Sequence, residues 1–131
     1  MGSHSATTDE RALARPRRWG RIEVFPSAVA ALAGHAAVGC YGVMGMAAHG
    51  LQDGMAQLLH RESLDRGVDV VEEDGQLVID VYVVVQYGVR ITEVAHNLQQ
   101  AVKFEVERAT QVPVAEVNVF VQGVKEDSPE A

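Results

Sequence analysis

The stretch from Val78 to Val124 constrains this chain more than any other part of it, because an apolar run, a long amphipathic segment and a second apolar run follow one another with only short breaks. Val78, Ile79, Val81, Tyr82, Val83, Val84 and Val85 are interrupted only by Asp80, and the run is dense in β-branched residues yet too short to cross a bilayer. A strand is the economical outcome. Gln86, Tyr87 and Gly88 close it, and Gly88 can take the positive φ that a tight strand-to-helix turn often needs. Ile91, Val94, Ala95, Leu98, Ala101, Val102, Val106 and Ala109 then recur at helical spacing. Glu93, Asn97, Gln100, Lys103 and Glu107 form the opposite, wet face, with Lys103 and Glu107 one turn apart. Pro113 stops the helix. Beyond it Val114, Val117, Val119 and Val121 return to strand spacing, with Asn118, Phe120 and Gln122 on the alternate side. Phe120 interrupts strict alternation, so both faces of this strand are expected to be partly covered.

The remainder supplies shorter elements. Ile22 and Val24 alternate with charged neighbours in a strand expected over Arg21 to Phe25. Pro26 and Ser27 suit a first helical turn, Ser27 as a cap, and Val29, Leu32, Ala33 and Ala36 make a small-residue stripe that ends at Gly39. Cys40 to Ala47 reads as a strand in which Gly42 and Gly45 signal a bulge or a close backbone approach. Leu51, Met55, Leu58 and Leu59 mark a short helix over Leu51 to His60, followed by a polar connection from Arg61 to Gly67. Val68, Val70 and Val71 form a strand joined to the long apolar run through Glu73, Asp74 and Gly75, and an Asp-Gly pair between apolar runs is a hairpin signal. The order is β-α-β-(short α)-β-β-α-β. It implies an α+β fold: one two-layer domain with a mixed, mostly antiparallel sheet packed by two main helices.

A chain of 131 residues with 47% hydrophobic content has enough apolar side chain for one packed domain. Charge divides it further. Residues 1–21 hold five arginines against Asp9 and Glu10, so +3 of the −7 total leaves −10 on the rest. An acidic body repels phosphate backbones, which argues against nucleic-acid binding. Residues 1–20 are read as a disordered basic arm, 21–124 as the domain and 125–131 as an acidic flexible tail; residues 1–5 resemble an expression scar. The N-terminus lacks the apolar segment of a secretory signal, and the single Cys40 fits a reducing compartment. The reading is cytoplasmic, with no direct membrane insertion and any membrane association made through a partner.

No chemistry-bearing constellation emerges. His4, His35, His49, His60 and His96 fall at no metal-ligand spacing on one element, and Cys40 has no cysteine partner, so neither a metal nor a cofactor is expected. Cys40 near a helix end has nothing to lower its thiol pKa. Glu72, Glu73 and Asp74 are explained by a solvated turn. Gly42 to Gly45 matches the GxxG spacing of RNA-binding loops but sits in a strand, without basic neighbours. His49 and His60, flanking the short helix, are the better histidine candidates.

With those residues in place, three segments resemble the alkaline shock protein family of bacteria, also called the envelope stress response family. They are RIEVFPSAVAALAGHAAVGCYGVMGMA, RGVDVVEEDGQLVIDVYVVVQYGVRITEVAHNLQQAVKFEVE and VAEVNVFVQGV, together nearly everything from Arg21 to Val124. The most specific match pairs Tyr87, Gly88 and Val89 with Val117, Asn118, Val119, Gln122, Gly123 and Val124. The intervening GLQDGMAQLLHRESLDRG is similar to a branch often encoded beside a fatty-acid kinase subunit. The resemblance implies a small protein without an established catalytic activity, prone to self-association, and in some members held at the membrane by a separate anchoring protein. Cys40 and Tyr41 depart from the more polar pair expected there.

Two functional expectations follow. The first is a non-enzymatic scaffold or adaptor in envelope homeostasis, contacting partners through Tyr87, Arg90, Asn118 and Gln122. The second is a regulatory or ligand-binding accessory subunit in fatty-acid or lipid metabolism, which calls for an apolar pocket between helix and sheet.

Overall fold

A computed structural model describes residues 17–19, 22–48 and 58–126, with side chains from Phe25 onward. The elements are β1 (Arg17–Trp19), β2 (Ile22–Val24), α1 (Pro26–Val38), β3 (Val43–Met46), a 3-10 helix (Arg61–Gly67), β4 (Val68–Glu73), β5 (Gln76–Gln86), α2 (Ile91–Thr110) and β6 (Val114–Lys125).

The valine-dense run becomes the centre of the sheet. One side of β5 pairs antiparallel with β4 over Gln76 to Val81 and then with β3 over Val83 to Val85, so two short strands share one edge end to end. Its other side pairs in parallel with β6 along its length, the arrangement that α2 makes possible as a crossover. Asp74 and Gly75 turn β4 into β5 with φ values of 55° and 80°, as the primed two-residue hairpin turn requires. The four-stranded sheet is mixed and mostly antiparallel, and with its helices it forms the expected α+β domain.

Alternation along β5 decides where the core sits. Leu77, Ile79, Val81, Val83 and Val85 face the helices and join Val94, Leu98, Val102 and Val106 of α2 and Val29, Ala30, Ala33 and Ala37 of α1 in one buried cluster. Small residues let α1 approach closely: a Cβ at Gly34 would lie 3.0 Å from the Leu64 backbone oxygen. The buried stripe of α1 is Val29, Ala30, Ala33, Gly34 and Ala37, leaving Leu32 and Ala36 half-buried. Tyr82 and Val84 alternate to the sheet's other face and are buried there as well.

Several local expectations need correction. Pro26 does open α1, but Phe25 holds the N-cap position with no side-chain cap, so Ser27 lies within the first turn instead of capping it. Pro113 is not what ends α2: Gln111 adopts a left-handed conformation with φ 63° and its N–H returns to the Glu107 carbonyl, closing the helix earlier. The polar connection over Arg61 to Gly67 is a 3-10 helix, because Leu64 is buried against Gly34 and anchors it. The helix expected over Leu51 to His60 lies outside the described residues up to 57; Leu58 forms an isolated bridge with Ala47. The strand near Arg21 is present as β2, and its partner is β1 in a separate two-stranded sheet.

Candidate functional site

Two regions concentrate the side chains that packing does not explain. The first is the end of the sheet where β5 runs into α2. Gly42 and Gly88 take φ values of 88° and 95°, allowing the chain to turn tightly before β3 and after β5. The Gln86 N–H donates to the Gly42 carbonyl at 2.8 Å, and the Tyr87 N–H donates to the Lys125 carbonyl at 2.7 Å. Those bonds bring Tyr41, Tyr87 and Val124 to one end of three adjacent strands, with Ile91 starting the helix beside them. All four are exposed, Tyr41 at 79% and Tyr87 at 67%. Arg90 is exposed at the same turn and pairs with Glu93 at 3.5 Å.

The second region is the sheet face that carries Tyr82, opposite the face packed on the helices. Asp69 of β4 stands directly opposite Asp80 of β5, and Asp80 opposite Asn118 of β6. Asn118 Nδ2 donates to Asp80 Oδ1 at 2.9 Å, which steadies one of two neighbouring carboxylates. Tyr82 stacks on Phe120 with ring centroids 4.9 Å apart and planes 14° apart. Burial, the charges of Asp69 and Asp80, and a hydrogen bond with Asp69 all push the Tyr82 phenol above its ordinary pKa. Because the fold favours the protonated phenol, its contribution is complete below the unfolded value of about 10 and is lost as pH rises through the higher folded value. The urea midpoint is therefore expected to fall more steeply above about pH 10 in the native chain than in Tyr82→Phe.

The four contact candidates thus divide. Tyr87 and Arg90 share the strand-end turn. Asn118 belongs to the sheet-face network, and Gln122 is the extra, half-buried residue where β6 shifts register against β5. Tyr41, absent from that group, is the most exposed large apolar residue described. Its only sequence signal is its departure from the polar pair expected there.

Elsewhere the chemistry is quiet. Cys40 is half-buried, its thiol donates to the Ala36 carbonyl at 3.5 Å, and burial raises its pKa, which works against thiolate reactivity. Among the described residues no group of three His, Cys, Asp or Glu side chains is placed to hold a metal ion. His60 is exposed and His49 lies outside the described residues. A groove of about 600 Å³ runs between α2 and the start of β6, lined by His96, Gln99, Lys103, Phe104 and Asn118 among others. A smaller one of about 390 Å³ lies between the helices near His35 and Cys40. No described helix is long and apolar enough to cross a membrane.

Fold and surface together define a small two-layer α+β domain whose distinctive residues sit on outer faces and strand ends. The chain belongs to the alkaline shock protein 23 family, whose model matches residues 15–126 and which has a cell envelope-related function. It is 42% identical over 113 residues to the uncharacterized protein YloU of Bacillus subtilis strain 168, covering 86% of this chain and 94% of that protein. An uncharacterized protein of Streptococcus pyogenes serotype M6 is 38% identical over 107 residues, covering 81% and 88% of the two chains. The uncharacterized protein YqhY of Bacillus subtilis strain 168 is 29% identical over 109 residues, with 83% and 80% covered. No solved structure matches the chain.

Proposed function

We propose that this chain is a scaffold or adaptor in cell-envelope homeostasis that works without catalysis, through contacts with other proteins and with copies of itself. The strand-end cluster carries this reading. Tyr41, Tyr87, Ile91 and Val124 expose 79%, 67%, 43% and 49% of their surface at one end of the sheet. Exposed apolar side chains gathered at one end of a sheet suit an interaction site, and tyrosine fits such a position because its ring is apolar and its hydroxyl stays wet. A membrane-anchor protein or a fatty-acid kinase subunit is the proposed partner class. An accessory role in fatty-acid or lipid metabolism calls instead for a cavity between α2 and the sheet. Leu98, Val102, Val106, Ile79, Val81 and Val83, each at 0% exposure, fill that space.

The double variant Tyr41→Ser/Tyr87→Ser tests the proposal. Both side chains stand in solvent, so stability should stay within about 1 kcal/mol of the native chain. Affinity recovery from solubilised bacterial membranes should lose the proteins that co-purify with the native chain. An unchanged set of co-purifying proteins, with folding intact, would remove the strand end from the account.

A further inference from the structure

Positive charge is gathered in one part of this chain. Residues 11–21 hold Arg11, Arg15, Arg17, Arg18 and Arg21 and no acidic residue, while everything after Arg21 carries −10. The middle of that run is a strand: β1 places Arg17, Arg18 and Trp19 in a two-stranded sheet of its own, apart from the main sheet. The register with β2 sets Arg17 opposite Val24, Arg18 opposite Glu23 and Trp19 opposite Ile22. Five arginines against Glu23 leave residues 11–24 at +4. Beyond β2, the sequence from Val24 to Gln52 contains no Asp, Glu, Lys or Arg, so nothing adjoining in sequence offsets that charge. Phe25, at the N-cap of α1, is 49% exposed directly after the ribbon.

Charge alone would accept any polyanion, since arginine pairs with phosphate through parallel N–H donors whatever carries the phosphate. Two further observations choose a lipid. Tryptophan favours the boundary between headgroups and acyl chains, and here Trp19 stands among the arginines with the exposed Phe25 close by in sequence. The family's function is related to the cell envelope, which puts such a surface within reach. We infer that the β1–β2 ribbon, through Arg17, Arg18, Trp19 and the adjoining Phe25, rests on an anionic phospholipid surface. The contact is direct and peripheral and needs no spanning segment. It is separate from the strand-end surface proposed above for protein partners. Each arginine near such a surface strengthens binding about fivefold, so the attachment is weak, reversible and weakened by salt. A protein contact at the strand end would reinforce it by holding the ribbon near the membrane.

Trp19 is the only tryptophan of the chain, so its fluorescence reports this contact without any variant. The native protein is titrated with vesicles of equimolar phosphatidylglycerol and phosphatidylcholine, with vesicles of phosphatidylcholine alone, and with short single-stranded RNA at matched phosphate. The expected result is a blue shift on the anionic vesicles alone, reversed by high salt and accompanied by flotation of the protein with them. Arg17→Gln/Arg18→Gln should weaken that binding about 25-fold. Lys103→Gln/Arg108→Gln removes the same charge from exposed positions on α2 and should leave binding nearly unchanged. Neither shift nor flotation with anionic vesicles at low salt would overturn the inference. So would an equal response to phosphatidylcholine or to RNA, or equal losses in the two double variants. The strand-end contact stands or falls separately, on Tyr41→Ser/Tyr87→Ser.

Discussion

Leu98→Ala is expected to lower the unfolding free energy by about 2–5 kcal/mol, as truncation of a fully buried leucine does when its surroundings cannot collapse into the space. Leu98 is 0% exposed in the middle of α2, within the cluster that joins both helices to β5. The β5 members of that cluster include Ile79, Val81, Val83 and Val85, whose branched side chains have few alternative rotamers with which to fill a cavity. Urea denaturation should show a lower midpoint at an unchanged slope. A loss below about 1 kcal/mol would mean that the helix and sheet are not packed as described.

Gly42→Ala should be nearly as damaging, for two separable reasons. The φ of 88° at this position strains any residue with a Cβ, at a cost of about 1–2 kcal/mol. The added Cβ would also fall 2.7 Å from Val94 Cγ2, in a side chain that is buried and stiff at χ1. Gly88 provides the internal comparison, because its φ is 95° but nothing lies within 4 Å of the Cβ it would acquire. Gly88→Ala should therefore show the strain alone, and Gly42→Ala the strain plus a clash of about 1–3 kcal/mol. Equal losses for the two variants in the same urea titration would contradict the close approach of β3 to α2.

The β5–α2–β6 unit was legible because its signals are local: a β-branched run, a helical period and a turn glycine each act over a few residues. The Asp74–Gly75 hairpin was legible for the same reason. What escaped were arrangements set by contacts distant in sequence. Nothing in Arg61 to Gly67 announces that Leu64 will dock on Gly34, so its polar composition read as a connection. Ser27 is a good cap by type, yet Pro26 already fixes the first turn and moves the cap to Phe25. Tyr87 stood out beside its glycine turn, while Tyr41 acquires meaning only when β3 pairs with β5 and carries it to the same end. Asp69 and Asp80 likewise become neighbours through hairpin register, and Asn118 joins them through the parallel pairing of β6.

The same topology explains why the candidate residues separate. A strand puts alternate residues on opposite faces, and a register shift changes which residue is left over. Asn118 is committed to Asp80, Gln122 sits at the shift, and Tyr87 remains outside the sheet with its ring in solvent. Its freedom from structural duty is what makes the strand end the place where a partner can be sought without disturbing the fold.

A photo-reactive residue placed at Tyr87, and in parallel at Asp74 at the opposite end of β5, tests the contact surface most directly in living bacteria. Both positions are exposed, so neither substitution burdens the core. The account predicts discrete covalent adducts with envelope proteins from position 87 and none of those adducts from position 74. Identical adducts from both positions, or none from position 87 with the protein folded and expressed, would contradict it.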